Sequence, residues 1–240
     1  MTSYCKEVKR VLDDILKYES EKIKEVARYI SEAIENDGVV IAFGTGHSHI
    51  MVEEMFYRAG GLVPVYPVFV GALMLHEGAA RSSILERTPQ MGRTIADYVN
   101  SSENDVVFVF SNSGVNAVPV EFAMVMRERG HKVFAVTSFQ HSKKVQPRNP
   151  EGKRLMEVVD IAIDNHVPYG DASVRVGNVK VAPLSTIAGA FIVNSIVIEI
   201  TKIFDEDGRI PPVFVSANVE NGDLHNEGLI RSYSSRIPIL

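Results

Sequence analysis

Short runs that are apolar at consecutive positions, most of them separated by helical patterns, constrain this 240-residue chain more than any other feature. They are Val39–Phe43, Val63–Tyr66, Val106–Phe110, Val133–Val136 and Ile161–Ile163. A strand with one face in water alternates apolar and polar residues, whereas a strand apolar throughout must be covered on both faces. Such strands, alternating with helices, predict an α/β fold: a mostly parallel sheet with helices on either side, an αβα sandwich in three layers. Between Lys6 and Ile34, residues Val8, Val11, Leu12, Ile15, Ile23, Val26, Ala27, Ile30 and Ile34 recur at helical spacing. That spacing predicts a long amphipathic helix ending near Asn36, Asp37 and Gly38.

Other segments are less regular. Ile187–Ile203 is the most apolar stretch, but Asn194 and Glu199 interrupt it, so it reads as a buried helix and not a membrane span. Phe69–Arg87 has no clean period. Gln146–Lys153 and Tyr169–Pro183 read as surface loops because of their glycines and prolines. A net charge of −5 without a basic stripe argues against a nucleic-acid partner. Cys5, the single cysteine, can form neither an intramolecular disulfide nor a thiol-rich metal site, which fits a reducing cytoplasm. The opening MTSYCKEVKRVLDD lacks the apolar core of a signal peptide. The expectation is a cytoplasmic protein with no membrane partner.

Two turns carry the functional signal: GTGHSH at Gly44–His49 and SNSGVN at Ser111–Asn116, each directly after a strand and before a helix. Ligands of open parallel sheets sit beyond the carboxyl ends of the strands. Glycine-permitted amides, serine hydroxyls and helix N-termini at that edge suit an anion such as a phosphate ester. The same residues also serve as ordinary turn and cap residues. No GxxxxGK[ST] segment occurs, and GTGHSH lacks the third glycine of GxGxxG, so a nucleotide cofactor is not expected.

With those turns, the helix Ala117–Arg129, the strand VFAVTS and the late PLSTIAGAFIVNS helix, the chain resembles the SIS (sugar isomerase) phosphosugar-binding domains. It is most similar to stand-alone SIS proteins of the UPF0309 type and more distantly to phosphoheptose isomerases. The resemblance spans nearly the whole chain. It implies a flavodoxin-like five-stranded sheet and one SIS domain over residues 1–240, with 1–36 as the N-terminal helix and 37–240 as the core and C-terminal extension. It further implies that Ser48, Ser111, Ser113 and Ser185 bind the phosphate or sugar hydroxyls. Asn112 and the glycines Gly44, Gly46 and Gly114 would allow close backbone approach. Asn116 stands where the family usually has threonine, so an amide replaces a hydroxyl there.

Aldose–ketose isomerisation moves a proton between neighbouring carbons through an ene-diol, and this requires a carboxylate or imidazole base. Glu54, close to where the family carries its carboxylate, is the first candidate, and Glu77 is the second. His76 and His225 are candidates for ring opening, and His225 resembles a late histidine that relatives deliver into a neighbouring subunit. Phosphoheptose isomerases place the catalytic glutamate further along the helix, near Tyr57. His47 and His49 could approach His76, but an HSH spacing without Cys or HxxxH supports no dedicated metal site. His131, His141 and His166 receive no role. The readings left open are a sugar-phosphate isomerase, a non-catalytic phosphosugar sensor and a sugar-phosphate ether lyase. Surplus apolar surface on the first and last long helices predicts a homodimer or a dimer-based tetramer.

Overall fold

The computed structural model describes residues 2–240. Chain order is α1 (Ser3–Glu35), β1 (Val40–Gly44), α2 (His49–Met55), β2 (Val65–Val68), α3 (Ala79–Leu85), α4 (Met91–Asp97), β3 (Val106–Phe110) and α5 (Ala117–Glu128). There follow β4 (Lys132–Thr137), α6 (Phe139–Lys144), α7 (Leu155–Val158), β5 (Ile161–Asp164), β6 (Ala172–Val176), β7 (Val179–Pro183), α8 (Ser185–Glu206) and α9 (Gly222–Tyr233). The five-stranded sheet runs in the order β2-β1-β3-β4-β5 with every pair parallel, the flavodoxin-like order.

Successive residues of a strand face opposite ways, and this explains why the strands are apolar throughout. Val40, Ala42, Phe108, Phe110, Phe134 and Val136 pack with α1, α2 and α8. Their neighbours Ile41, Phe43, Val107, Val109, Val133 and Ala135 pack with α4, α5 and α7. Each fully buried side chain of this size contributes about 1.5–3 kcal/mol. Thr2 caps α1 by accepting a hydrogen bond from Cys5 N (3.3 Å). Val11, Ile15, Ile23, Ala27, Ile30 and Ile34 then form a buried stripe against α8. By length and composition α8 could cross a membrane, but here its Ala188–Phe204 face is core.

Three readings of the sequence change. The second strand begins at Val65 and not at Val63, because Leu62 and Val63 pair with Pro212 and Val213 instead of with β1. Tyr169–Pro183 is not a plain loop. It holds the antiparallel hairpin β6–β7, whose Val174, Val176, Val179 and Val181 alternate about a turn at Gly177 and Asn178. The segment after Pro212 contains α9, so His225 stands on a helix and not in a loop.

Candidate functional site

The strand order reverses between β1 and β3, and a cleft of about 310 Å³ opens beyond their carboxyl ends. His47 and Ser48 line it from the β1 turn, Ser111 and Asn112 from the β3 turn, Asn165 from the end of β5, and Ser185 and Thr186 from the start of α8. Met51, Phe110, Val136 and Gly189 supply its apolar lining. Among the described residues, its only ionisable lining side chain is His47, and no Lys, Arg or carboxylate borders it.

Both turns are shaped by close backbone approach. A Cβ at Gly44 would stand 2.7 Å from Ser48 O, and Gly114 sits at φ +60° where a Cβ would lie 2.7 Å from Thr137 Oγ1. Ser111 Oγ accepts from Gly114 N (3.1 Å), so this hydroxyl holds the turn closed as well as bordering the cleft. Asn112 is fixed from two sides: its carbonyl accepts from Ser138 N (3.0 Å), and its Oδ1 accepts from Asn165 Nδ2 (2.8 Å). Ser113 is half-buried in the same turn. The first turn of α8 is capped by Asp171, whose Oδ1 accepts from Leu184 N and Ser185 N (2.9 Å each) and whose Oδ2 accepts from Ser185 Oγ (2.6 Å).

The other histidines have structural partners. His166, beside Asn165, lies 3.3 Å from the buried Glu19 carboxylate of α1, tying that helix to the end of β5. His141 Nδ1 accepts from Gly170 N (3.1 Å), and burial pushes its pKa below the usual histidine range, with Asp171 opposing. His131 bonds Asp105 O and Ser101 Oγ at the opposite end of the sheet.

The four candidate acid–base residues stand outside the cleft lining. Glu54 lies one turn beyond Met51 on α2, held by Arg58 and by Asn194 Nδ2 of α8 (2.9 Å). Glu77 is exposed beside Arg81 (3.6 Å), and His76 is exposed with its ring 6.2 Å from that of His49. His49 itself bonds Gly46 O and lies 3.4 Å from Glu53. Among the described residues, no group of three His, Cys, Asp or Glu side chains could hold a metal ion. His225 is on the outer surface of α9, a helix whose only buried residue is Gly222, and its Nε2 meets Val213 O at 3.1 Å.

Sequence reasoning passed over Glu86. This carboxylate, just after α3, accepts from Thr45 Oγ1 of the β1 turn (3.0 Å) and from Asn116 Nδ2 of the β3 turn (2.7 Å). Its carbonyl accepts from Val118 N in the first turn of α5 (3.1 Å). Asn116 therefore gives its amide to Glu86 and makes no cap bond to α5. Burial pushes the Glu86 pKa above the usual carboxylate range, against the opposing effects of the Thr45 bond, Arg87 and Arg148.

Residues 3–138 match the SIS domain family. A UPF0309 protein of Geobacillus kaustophilus is 44% identical over 242 residues, covering 100% of this chain and 96% of its own length. One from Listeria innocua is 46% identical over 233 residues, covering 96% of this chain and 94% of its own. Phosphoheptose isomerase GmhA of Neisseria gonorrhoeae superposes with a TM-score of 0.56 at 16% identity, covering 83% of this chain and 96% of that one. Protein c3406 of E. coli CFT073, solved in complex with a sugar phosphate, gives 0.52 at 13% identity, covering 84% and 88%. The Vibrio vulnificus NanR protein, complexed with ManNAc-6P, gives 0.51 at 13% identity, covering 99% of this chain and 68% of that one. At these identities the structural likeness is one of fold.

Proposed function

The chain belongs to the SIS-domain family, and we propose that residues 1–240 act as one such domain that binds a phosphorylated sugar in the cleft at the ends of β1 and β3. The observation that carries this reading is the convergence there of Ser48, Ser111, Asn112, Ser185 and Thr186 from two turns and a helix start, over an apolar floor. Small hydroxyls and turn amides suit phosphate oxygens, and Met51, Phe110 and Val136 suit the apolar face of a sugar. The sugar phosphates held by the c3406 and NanR proteins support that ligand class.

Our reading of the chemistry is aldose–ketose isomerisation with Glu54 as base. Glu54 shares the α2/α8 seam with Met51 and Gly189 of the cleft, and a base there would move a proton between adjacent carbons. Glu77, with His76 beside it, is the second candidate. His225, on the sparsely buried α9, would reach the cleft of a second copy in a homodimer or dimer-based tetramer. A sensing role without turnover is the second reading. It is favoured by the single ionisable lining residue, His47.

The test is a panel of glucose 6-phosphate, fructose 6-phosphate, N-acetylglucosamine 6-phosphate and ribose 5-phosphate, each beside its unphosphorylated sugar. Native-state binding at about 100 times Kd adds roughly 2.7 kcal/mol, so a phosphorylated member raises Tm and its parent sugar does not. Equal shifts from both forms would refute the site. Deuterium uptake beside the carbonyl of the bound member, lost on Glu54→Gln with binding retained, identifies the isomerase; binding without exchange identifies the sensor.

A further inference from the structure

We infer that Glu86 is the positioning residue of the anion site, and that binding a phosphate ester across the two turns draws a proton from solvent onto its carboxylate. This rests on the phosphosugar reading above.

The geometry joins the turns through one side chain. Glu86 Oε2 is bonded to Thr45 of the β1 turn and Oε1 to Asn116 of the β3 turn, so the two halves of the site are set by a shared carboxyl group. A substituent built at Gly46, in the first of those turns, would lie 4.0 Å from Oε2. The charge therefore stands directly behind the place where an anion would rest. No Lys or Arg among the lining residues offsets it.

A dianionic phosphate and an ionised carboxylate in such proximity disfavour each other, and protonating the weaker acid relieves the conflict. The site has room for that proton. Thr45 Oγ1 at 3.0 Å accepts it from Oε2. Asn116 Oδ1, buried and without a partner, accepts it from Oε1 if the amide is turned over, an orientation that hydrogen-bonding alone decides. An orphaned buried acceptor beside a carboxyl group calls for a donor, and a protonated Glu86 supplies one.

The charged and titratable groups around Glu86 are few. Arg87 follows it in the chain, and Arg148 comes from the loop after α6, both favouring the ionised form. His47 and His49 belong to the β1 turn. Burial outweighs the two arginines and raises the carboxyl group, and a bound phosphate raises it further. Between the free and bound values, one proton enters per ligand, and affinity falls about tenfold per pH unit as pH rises.

Calorimetric titration of the full chain with the tightest binder of the panel, in two buffers of different ionisation enthalpy, reads the proton directly. At about two units above the phosphate's second ionisation, near pH 6, the ester itself stays dianionic. The expected result is net uptake approaching one proton in the unaltered protein. Uptake should vanish in Glu86→Gln, whose amide imitates the neutral acid, and the variant's affinity should no longer fall with pH. Binding without uptake, or equal uptake in Glu86→Gln, overturns the inference while the phosphosugar reading stands; equal uptake would place the proton on another group. If no panel member binds, both fall. Should Glu86→Gln not fold, infrared difference spectra of the unaltered protein decide: a protonated-carboxyl band gained on binding supports the inference, and no such band overturns it.

Discussion

At the amino ends of β1 and β3, Asp105 accepts from Val39 N (2.9 Å), from Ser102 N (2.7 Å) and through both oxygens from Arg236 Nη2 (2.8 Å each). At the carboxyl ends of the same strands, Ser48, Ser111 and Asn112 border an open cleft. The first group is closed upon itself. It also gathers His131 and, by way of Arg236 Nη1 to Asp37 O (3.0 Å), clamps the C-terminal segment to the turn after α1. The second group presents polar atoms to a space the chain does not fill. Buried polar groups satisfied within the chain build stability, whereas those arranged around a cleft await a ligand.

If that division is right, damage at the two ends separates stability from binding. Asp105→Ala strands the Arg236 guanidinium and two backbone N–H groups, and it should cost about 3–5 kcal/mol in urea unfolding. Sugar-phosphate affinity of the surviving folded protein should not change. Ser113→Ala should do the reverse: losing a hydrogen bond to a charged group, about 1.5–3 kcal/mol, weakens sugar-phosphate binding roughly tenfold to a hundredfold at constant Tm. A lower Tm with intact affinity would make Ser113 a turn residue only. Ser111→Ala lies between, because its hydroxyl also accepts from Gly114 N. About 1 kcal/mol of stability should go together with affinity.

The smallest effect concerns Glu86 and pH. Its folded pKa is raised, so its contribution to stability is complete below the unfolded value near 4.5 and is lost as pH rises through the raised folded value. Glu86→Gln cannot ionise, so its unfolding midpoint should lack that part of the decline above pH 4.5. Identical midpoint-against-pH profiles for the two proteins would show that Glu86 carries no such linkage.

The layers of the fold were legible because buried parallel strands must be apolar at every position. Val106–Phe110 is read in full, and the other runs lie within a few residues of their strands. The two small polar turns were legible for a related reason: a strand that ends in Ser, Asn and Gly leaves polar groups at the sheet edge. The hairpin was hidden behind its glycine, although the alternation of Val174, Val176, Val179 and Val181 was present. That alternation faces largely outward, with Val176 and Val179 about 60% and 59% exposed, so it lacks the buried signature used elsewhere. Glu86 could not be found by pattern. It ends a seven-residue helix without amphipathic period, and its importance lies in Thr45 and Asn116, 41 and 30 residues away in the chain. Only folding brings them together.

Amide hydrogen exchange with and without the tightest-binding sugar phosphate of the panel tests the site where it is claimed to be. Protection should rise at the amides of Gly44–His49, Ser111–Asn116 and the first turn of α8, while Val39, Val106 and Val133 at the amino ends keep their rates. Protection spread evenly over both ends, or confined to surfaces away from the two turns, would contradict a phosphosugar site at the carboxyl edge of the sheet.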